Sequence, residues 1–238
     1  MPNPYFAFKQ FVVYHNRCAM KVGTDGVLLG AWADVALAES ILDVGTGSGL
    51  IALMLAQRNR DARVLAIDTD AGAIEQTREN FTGSPFSNRL MVSHISFQKL
   101  ADRPQDRFNH IVSNPPYFVD SLKSPNTSRS LARHADSLSL HNLIQLSRGL
   151  VSDDGKLSLI LPYNQKTDAE QIALDCGWHI SKSLSVFPLP DSNPKRVLLE
   201  FSANNVSEVL DQHLTIELAR HQYSSEFKSL VKDFYLHL

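Results

Sequence analysis

Ile41-Leu42-Asp43-Val44-Gly45-Thr46-Gly47-Ser48-Gly49-Leu50 is the stretch whose reading decides the fold. An apolar run of strand length enters three glycines, and from Leu50 to Asn59 apolar residues recur at helical spacing. Glycine adopts positive φ without a Cβ penalty and lets a ligand approach the backbone closely. The first turn of the following helix presents unpaired N–H groups. The segment is therefore a strand-to-helix turn built to hold a ligand.

Working outward, apolar runs alternate with helical patterns, the signal for parallel strands joined by crossover helices. Strands are expected at Ser40 to Val44, Arg63 to Ile67, Arg89 to His94, Phe108 to Ser113 and Lys156 to Leu161. Each is mostly apolar, as strands covered on both faces are. Helices are expected at Leu50 to Asn59, Ala71 to Phe81 and Leu140 to Leu150, with Asp70 and Ser139 at N-cap positions. After Leu161 the chain reads as a helix from Gln165 to Cys176 ended by Gly177, then strands at His179 to Phe187 and Arg196 to Phe201. The last two can pair as an antiparallel hairpin across the proline-rich segment 188–196. The class is α/β, with helices on both faces of the sheet. No repeat or shift of composition marks a second domain. Residues 1–238 read as one unit: a front segment 1–33, a sheet core 40–201 and a C-terminal extension 202–238.

Composition narrows the function. The 238 residues are 43% hydrophobic and 20% charged, and 23 basic against 25 acidic residues give a net charge of −2. That excludes a polycation coating nucleic acid indiscriminately, so any nucleic-acid contact must use a local patch. Cys18 and Cys176 are too few for a disulfide framework or a four-cysteine zinc site. The nine histidines show no ligand spacing, and no metal is expected. The N-terminus, broken by Pro2 and Pro4, lacks a signal-peptide pattern, and apolar runs such as Val27 to Ala33 are too short to span a membrane. A cytoplasmic protein, expected to be monomeric, fits these features.

Asp68 stands at the end of the second strand, where a carboxylate can take the two hydroxyls of a ribose. The glycines at 45, 47 and 49 do not follow GxGxxG, since Leu50 occupies the third glycine's place, which disfavours a nicotinamide dinucleotide. The pattern resembles motif I of the class I S-adenosylmethionine-dependent methyltransferases. That resemblance implies a Rossmann-like, mostly parallel seven-stranded sheet with an antiparallel C-terminal hairpin. It also implies S-adenosylmethionine held by Gly45, Thr46, Gly47 and Gly49, with Asp43 close to the methionine amino group and Asp68 on the ribose.

Downstream, the strand ending at Ser113 runs into Asn114-Pro115-Pro116-Tyr117. Two prolines make a stiff, extended bend at the carboxyl end of a sheet strand, where open α/β sheets bind ligands. This tetrapeptide resembles the signature of methyltransferases acting on a planar amide or exocyclic amine. Such an NH2 is a weak nucleophile that no ordinary side chain deprotonates before attack, so acceptors that orient it are needed rather than a base. The Asn114 side-chain oxygen and the Pro115 carbonyl would each take one N–H, with Tyr117 stacking on the substrate plane.

The front segment from Phe8 to Trp32, the stretch Asn193 to Leu199 and the C-terminus from Tyr223 to Leu236 resemble the bacterial tRNA1(Val) adenine-37 N6-methyltransferase family. The resemblance covers essentially the whole chain. It implies transfer of a methyl group from S-adenosylmethionine to an adenosine beside the anticodon of a valine tRNA. Lys21, Thr24 and Asp25 match the segment that lines the cofactor's carboxylate and the floor of the site. One departure is Ser96, where many of these enzymes place an acidic residue for the cofactor's adenine amine; Phe97 would pack on the adenine face. Basic residues for RNA are Lys9, Arg17, Lys123, Arg129, Arg133, Lys195 and Arg196. Methylation of a protein glutamine or of another RNA, and a cofactor-binding RNA module without catalysis, are the competing readings.

Overall fold

A computed structural model describes residues 3–103, 107–116 and 138–238. Tyr117, Lys123, Arg129 and Arg133 lie outside the described residues. The chain opens with a short antiparallel hairpin, β1 (Tyr5–Ala7) and β2 (Val12–Tyr14), followed by helix α1 (Thr24–Trp32). The sheet core then builds as β3 (Ser40–Val44), α2 (Leu50–Arg58), β4 (Arg63–Asp68), α3 (Ala71–Thr82), β5 (Leu90–His94), α4 (Phe97–Ala101) and β6 (Phe108–Ser113). After α5 (Leu140–Leu150) come β7 (Val151–Pro162), α6 (Lys166–Asp175), β8 (His179–Phe187) and β9 (Arg196–Ser202). The chain ends with β10 (Leu210–Thr215), β11 (Glu217–Ala219), β12 (Gln222–Tyr223) and α7 (Ser225–Val231).

The main sheet runs β10-β8-β9-β7-β6-β3-β4-β5. Strands β3 to β7 are mutually parallel, and β9 is antiparallel to both β7 and β8, which makes the expected hairpin. Seven of these strands are those the class implies. The eighth, β10, adds a parallel edge beside β8. In β10 Leu214 is buried while Leu210 to His213 are exposed, so no apolar run announces it. Strand β7 begins five residues earlier than expected. The excursion Ser152 to Gly155 interrupts its register with β6, where Phe108 faces Val151 and His110 faces Lys156.

Alternation along the strands builds two cores. Ile41, Val112, Ile160 and Leu198 face one side, against α1, α2 and α7 through Leu28, Leu53 and Phe227. Leu42, Ile111, Leu159 and Leu199 face the other, against α4, α5 and α6 through Leu100, Ile144 and Ala173. A strand buried on both faces needs an apolar residue at every position, and the continuous runs in the sequence reflect that. Asp70 caps α3 by accepting the Gly72 N–H at 2.8 Å, and Ser139 caps α5 by accepting that of Asn142 at 3.1 Å. Helix α1 is buried from Gly26 to Trp32 and lies close on α2: a Cβ on Gly30 would stand 2.7 Å from the Met54 sulfur. The two ends of the chain meet where Phe8 bridges Tyr235, and Phe6, Phe8 and Tyr235 pack ring to ring.

Candidate functional site

The carboxyl ends of β3, β4 and β6 open into a cavity of about 660 Å³. Its walls are the turn after β3, the end of β4 at Asp68, the residues Ile95, Phe97 and Gln98, the bend Asn114 to Pro116, and the loop Cys18 to Gly26 that leads into α1. Of the residues expected from sequence, Lys21, Thr24, Gly45, Thr46, Gly47, Asp68, Phe97, Asn114, Pro115 and Pro116 line this one cavity.

The glycine turn takes its shape from left-handed backbone. Gly45, Gly47 and Gly49 have φ of 73°, 57° and 80°. A Cβ on Gly45 or Gly47 would meet no atom within 4 Å, so both leave open backbone toward the cavity. Asp68 holds the turn from the next strand: its Oδ2 accepts the Gly47 N–H at 2.9 Å and its Oδ1 accepts that of Asp70 at 3.0 Å. A carboxylate oxygen takes more than one hydrogen bond, so Asp68 can hold the turn and still receive ligand hydroxyls.

Helix α3 supports the turn from below, which sequence reading missed. The Thr77 hydroxyl donates to the Gly47 carbonyl at 2.7 Å, and the Asn80 amide donates to the Ser48 carbonyl at 2.8 Å. Both side chains are buried polar groups spaced one turn apart on α3. That burial on an otherwise polar helix shows only in three dimensions. At the next strand the Ser113 hydroxyl donates to the Val44 carbonyl at 2.8 Å and locks the entry to the Asn114 bend.

Three expected cofactor residues do not line the cavity. Asp43 is wholly buried behind the turn, where its Oδ2 accepts the Thr46 hydroxyl at 2.7 Å. Burial raises its pKa to about 7, the Thr46 bond opposing that shift. It shapes the turn through Thr46, while its Oδ1 is buried without a hydrogen-bond partner. Gly49 is the N-cap residue of α2, where a Cβ would come within 2.7 Å of Phe81. Ser96 caps α4 by accepting the Lys99 N–H at 3.3 Å. Ile95, Gln98, Cys18 and Leu138 line the cavity without having been expected to. The Cys18 thiol is pushed up to about 11 by burial and by the charges of Asp68 and Asp70, which favours its protonated form at neutral pH.

The described basic residues proposed for RNA are tied to different elements. Lys9 Nζ donates to the Lys232 carbonyl at 2.6 Å, and Arg17 pairs with Glu75 and Glu79 on α3 at 3.6 and 3.7 Å. Arg196 reaches Asp25 in the first turn of α1 at 2.9 Å. Lys195 is exposed in the segment before β9. No group of His, Cys, Asp and Glu suited to a metal ion occurs among the described residues. Nor, among them, is any helix long and apolar enough to cross a membrane.

The residues present fit S-adenosylmethionine. Asp68 offers a carboxylate to ribose hydroxyls, and the open glycine backbone admits a ligand at contact distance. Ile67, Ile95 and Phe97 give an apolar slot for a purine, and Lys21 brings a cation for the carboxylate of an amino acid end.

Comparison with known proteins accords with this geometry. Residues 21–175 match the family described as "Methyltransferase small domain". The chain is 51% identical over 236 residues to the tRNA1(Val) (adenine(37)-N6)-methyltransferase of Parabacteroides distasonis, covering 99% of each chain. It is 50% identical over 243 residues to the protein of that name from Phocaeicola vulgatus, covering 100% of each. Among solved structures, a predicted O-methyltransferase from Agrobacterium tumefaciens superposes with a TM-score of 0.68 at 20% identity, over 88% of this chain and 96% of that one, a likeness of fold. Identity of this degree, carried from end to end of both chains, makes this protein a member of the tRNA1(Val) (adenine(37)-N6)-methyltransferase family.

Proposed function

We propose that this protein transfers a methyl group from S-adenosylmethionine to N6 of adenosine 37, beside the anticodon of a valine tRNA. The observation that carries the reading is the placement of Asn114 and Pro115 on the same cavity as Asp68 and the glycine turn. That placement supports reading Asn114 and Pro115 as amine acceptors beside a nucleoside site. The names of the full-length relatives supply the target nucleotide.

Bound S-adenosylmethionine supplies an electrophilic methyl group on a sulfonium. The protein's own part is positioning. Asp68 and the Gly45 to Gly47 backbone hold the nucleoside end, while Phe97 and Ile95 exclude water from the ring. The Asn114 side-chain oxygen and the Pro115 carbonyl accept the two N–H groups of the adenine amine and turn its lone pair toward the methyl carbon. Pro115 is buried, so its carbonyl is fixed rather than free to reorient. Holding reactants in a near-attack arrangement is enough to supply a large part of a rate enhancement. A loop nucleotide suits such a chamber, because it leaves its stack at lower cost than a base in a duplex.

Label transfer from methyl-labelled S-adenosylmethionine to unmodified valine tRNA, followed by digestion and mass analysis of the nucleosides, tests this. N6-methyladenosine from the anticodon loop, lost in Asn114→Ala with cofactor binding retained, is the expected result. Label in a protein glutamine, or in a different RNA, overturns the choice of substrate.

A further inference from the structure

We infer that Arg196 is a positioning residue of the methyl-transfer chamber, acting through Asp25 rather than by touching RNA. The inference rests on the proposed function for its consequence but not for its geometry.

Arg196 opens β9 at the carboxyl-end edge of the sheet, opposite Pro162 of β7 and Val186 of β8. Its backbone neighbour is pinned from both sides: the Lys195 N–H donates to the Val186 carbonyl at 2.9 Å, and the Lys195 carbonyl accepts the Tyr163 N–H at 3.1 Å. The guanidinium also donates to the Lys195 carbonyl at 3.0 Å. From this rigid base Nε donates to Asp25 Oδ2 at 2.9 Å, across 171 residues of sequence. The two side chains are 30% and 21% exposed, so the pair is mostly shielded from solvent.

Asp25 stands where the cavity wall is least covered. Met20, Lys21, Gly23 and Thr24 are exposed, whereas α1 is buried from Gly26 onward. Gly23, the N-cap residue, has no side chain with which to cap the helix. Val22 is held by a 3.4 Å bond from its N–H to His15 Nδ1. The Arg196 tie therefore joins an exposed wall, Lys21 to Asp25, to the same sheet edge that carries Asn114 and Pro115. Freed of it, the wall moves relative to the acceptors while the buried body of α1 stays packed. A planar guanidinium holds a carboxylate in a fixed direction as an ammonium does not.

The test needs no RNA in its first arm. Binding of S-adenosylhomocysteine is measured by calorimetry for Arg196→Met, Asp25→Asn, the double variant and Arg196→Lys, each with its melting temperature. The expected result is a loss of affinity of about tenfold in each single variant and no further loss in the double variant, because residues acting as one unit are non-additive. Arg196→Lys, which keeps the charge and loses the fixed Nε donor, should recover part of the loss. In the second arm, the dependence of tRNA binding on salt should keep its slope in Arg196→Met, since no phosphate contact is removed. Multiplying losses in the double variant, a shallower salt slope, or unchanged cofactor affinity with only a lower melting temperature would each overturn the inference. Failure of tRNA to accept methyl from the parent enzyme would instead count against the proposed function and leave the cofactor arm standing.

Discussion

Asn80 clasps the backbone of Tyr14 from both sides: its side-chain oxygen accepts the Tyr14 N–H at 2.9 Å and its amide nitrogen donates to the Tyr14 carbonyl at 2.8 Å. The same nitrogen donates to Ser48. One buried amide thus fixes the N-terminal hairpin against the turn that lines the cavity. Asn80→Ala leaves three backbone groups without this partner and should cost about 2–4 kcal/mol, on the scale of unmade buried hydrogen bonds. Asn80→Asp keeps the acceptor but sets a carboxylate against two carbonyls, and should cost at least as much. Urea unfolding measures the loss, and S-adenosylhomocysteine binding should weaken in parallel.

Gly47 and Gly49 of the turn should separate by experiment. Gly49→Ala meets Phe81 at 2.7 Å and Thr77 at 3.1 Å in addition to positive φ, so a stability loss of about 2–4 kcal/mol is expected from strain and overpacking together. Gly47→Ala bears only the backbone strain, about 1–2 kcal/mol, but sends its Cβ into space that a ligand needs. Thermal unfolding should rank Gly49→Ala as the less stable. Cofactor titration should rank Gly47→Ala as the weaker binder relative to its stability.

Two buried groups oppose one another as pH changes. His110 is wholly enclosed, with Nε2 2.8 Å from the Ser158 hydroxyl and Nδ1 3.1 Å from the Asp34 carbonyl; burial lowers its pKa from 6.5 to about 4. Between those values the unfolded chain binds more protons at this site, so its contribution to stability falls as pH falls from 6.5 toward 4. Asp43 does the reverse: with a folded pKa of about 7 against 3.8, the folded state binds more protons, and stability falls as pH rises through that window. Each effect is on the order of 3–4 kcal/mol at full extent. Relative to the parent, Asp43→Asn should lose stability more steeply between pH 7 and 4, and His110→Gln less steeply. Urea midpoints at pH 4.5, 5.5 and 7 check both signs, and parallel profiles for parent and variants would contradict the assignment.

Asp68→Asn should affect binding more than folding. The amide retains one acceptor oxygen where two now serve Gly47 and Asp70, and its NH2 faces a backbone N–H. A loss of cofactor affinity of about tenfold or more is expected, on the scale of one hydrogen bond to a charged group. Calorimetry at constant ionic strength reads it directly.

The sheet core was readable because strands buried on both faces must be apolar throughout, and the glycines of the turn admit few other conformations. Asp70 and Ser139 marked the starts of α3 and α5 for the same local reason: a short polar side chain answers a helix's free N–H groups. Strand β10 was not readable, since an edge strand with one buried side chain has no such pattern. Helix α1 hid in an apolar run with two glycines, which are helical here because α2 packs too closely for a side chain at Gly30. Ser96 was read only from its place after β5, and its part as the cap of α4 shows in the structure.

By itself the sequence determined the α/β class, the glycine turn with Asp68 one strand on, and the Asn114-Pro115-Pro116 bend at the end of a strand. These are local properties, set by backbone sterics, proline geometry and the period of apolar residues. Only the tertiary structure decided that Asn80 joins Tyr14 to Ser48 and that Arg196 holds Asp25. It also placed Asp43 behind the cavity rather than within it. Those depend on which polar groups meet once water is excluded, and pairs separated by 66 or 171 residues leave no mark on the spacing of the chain.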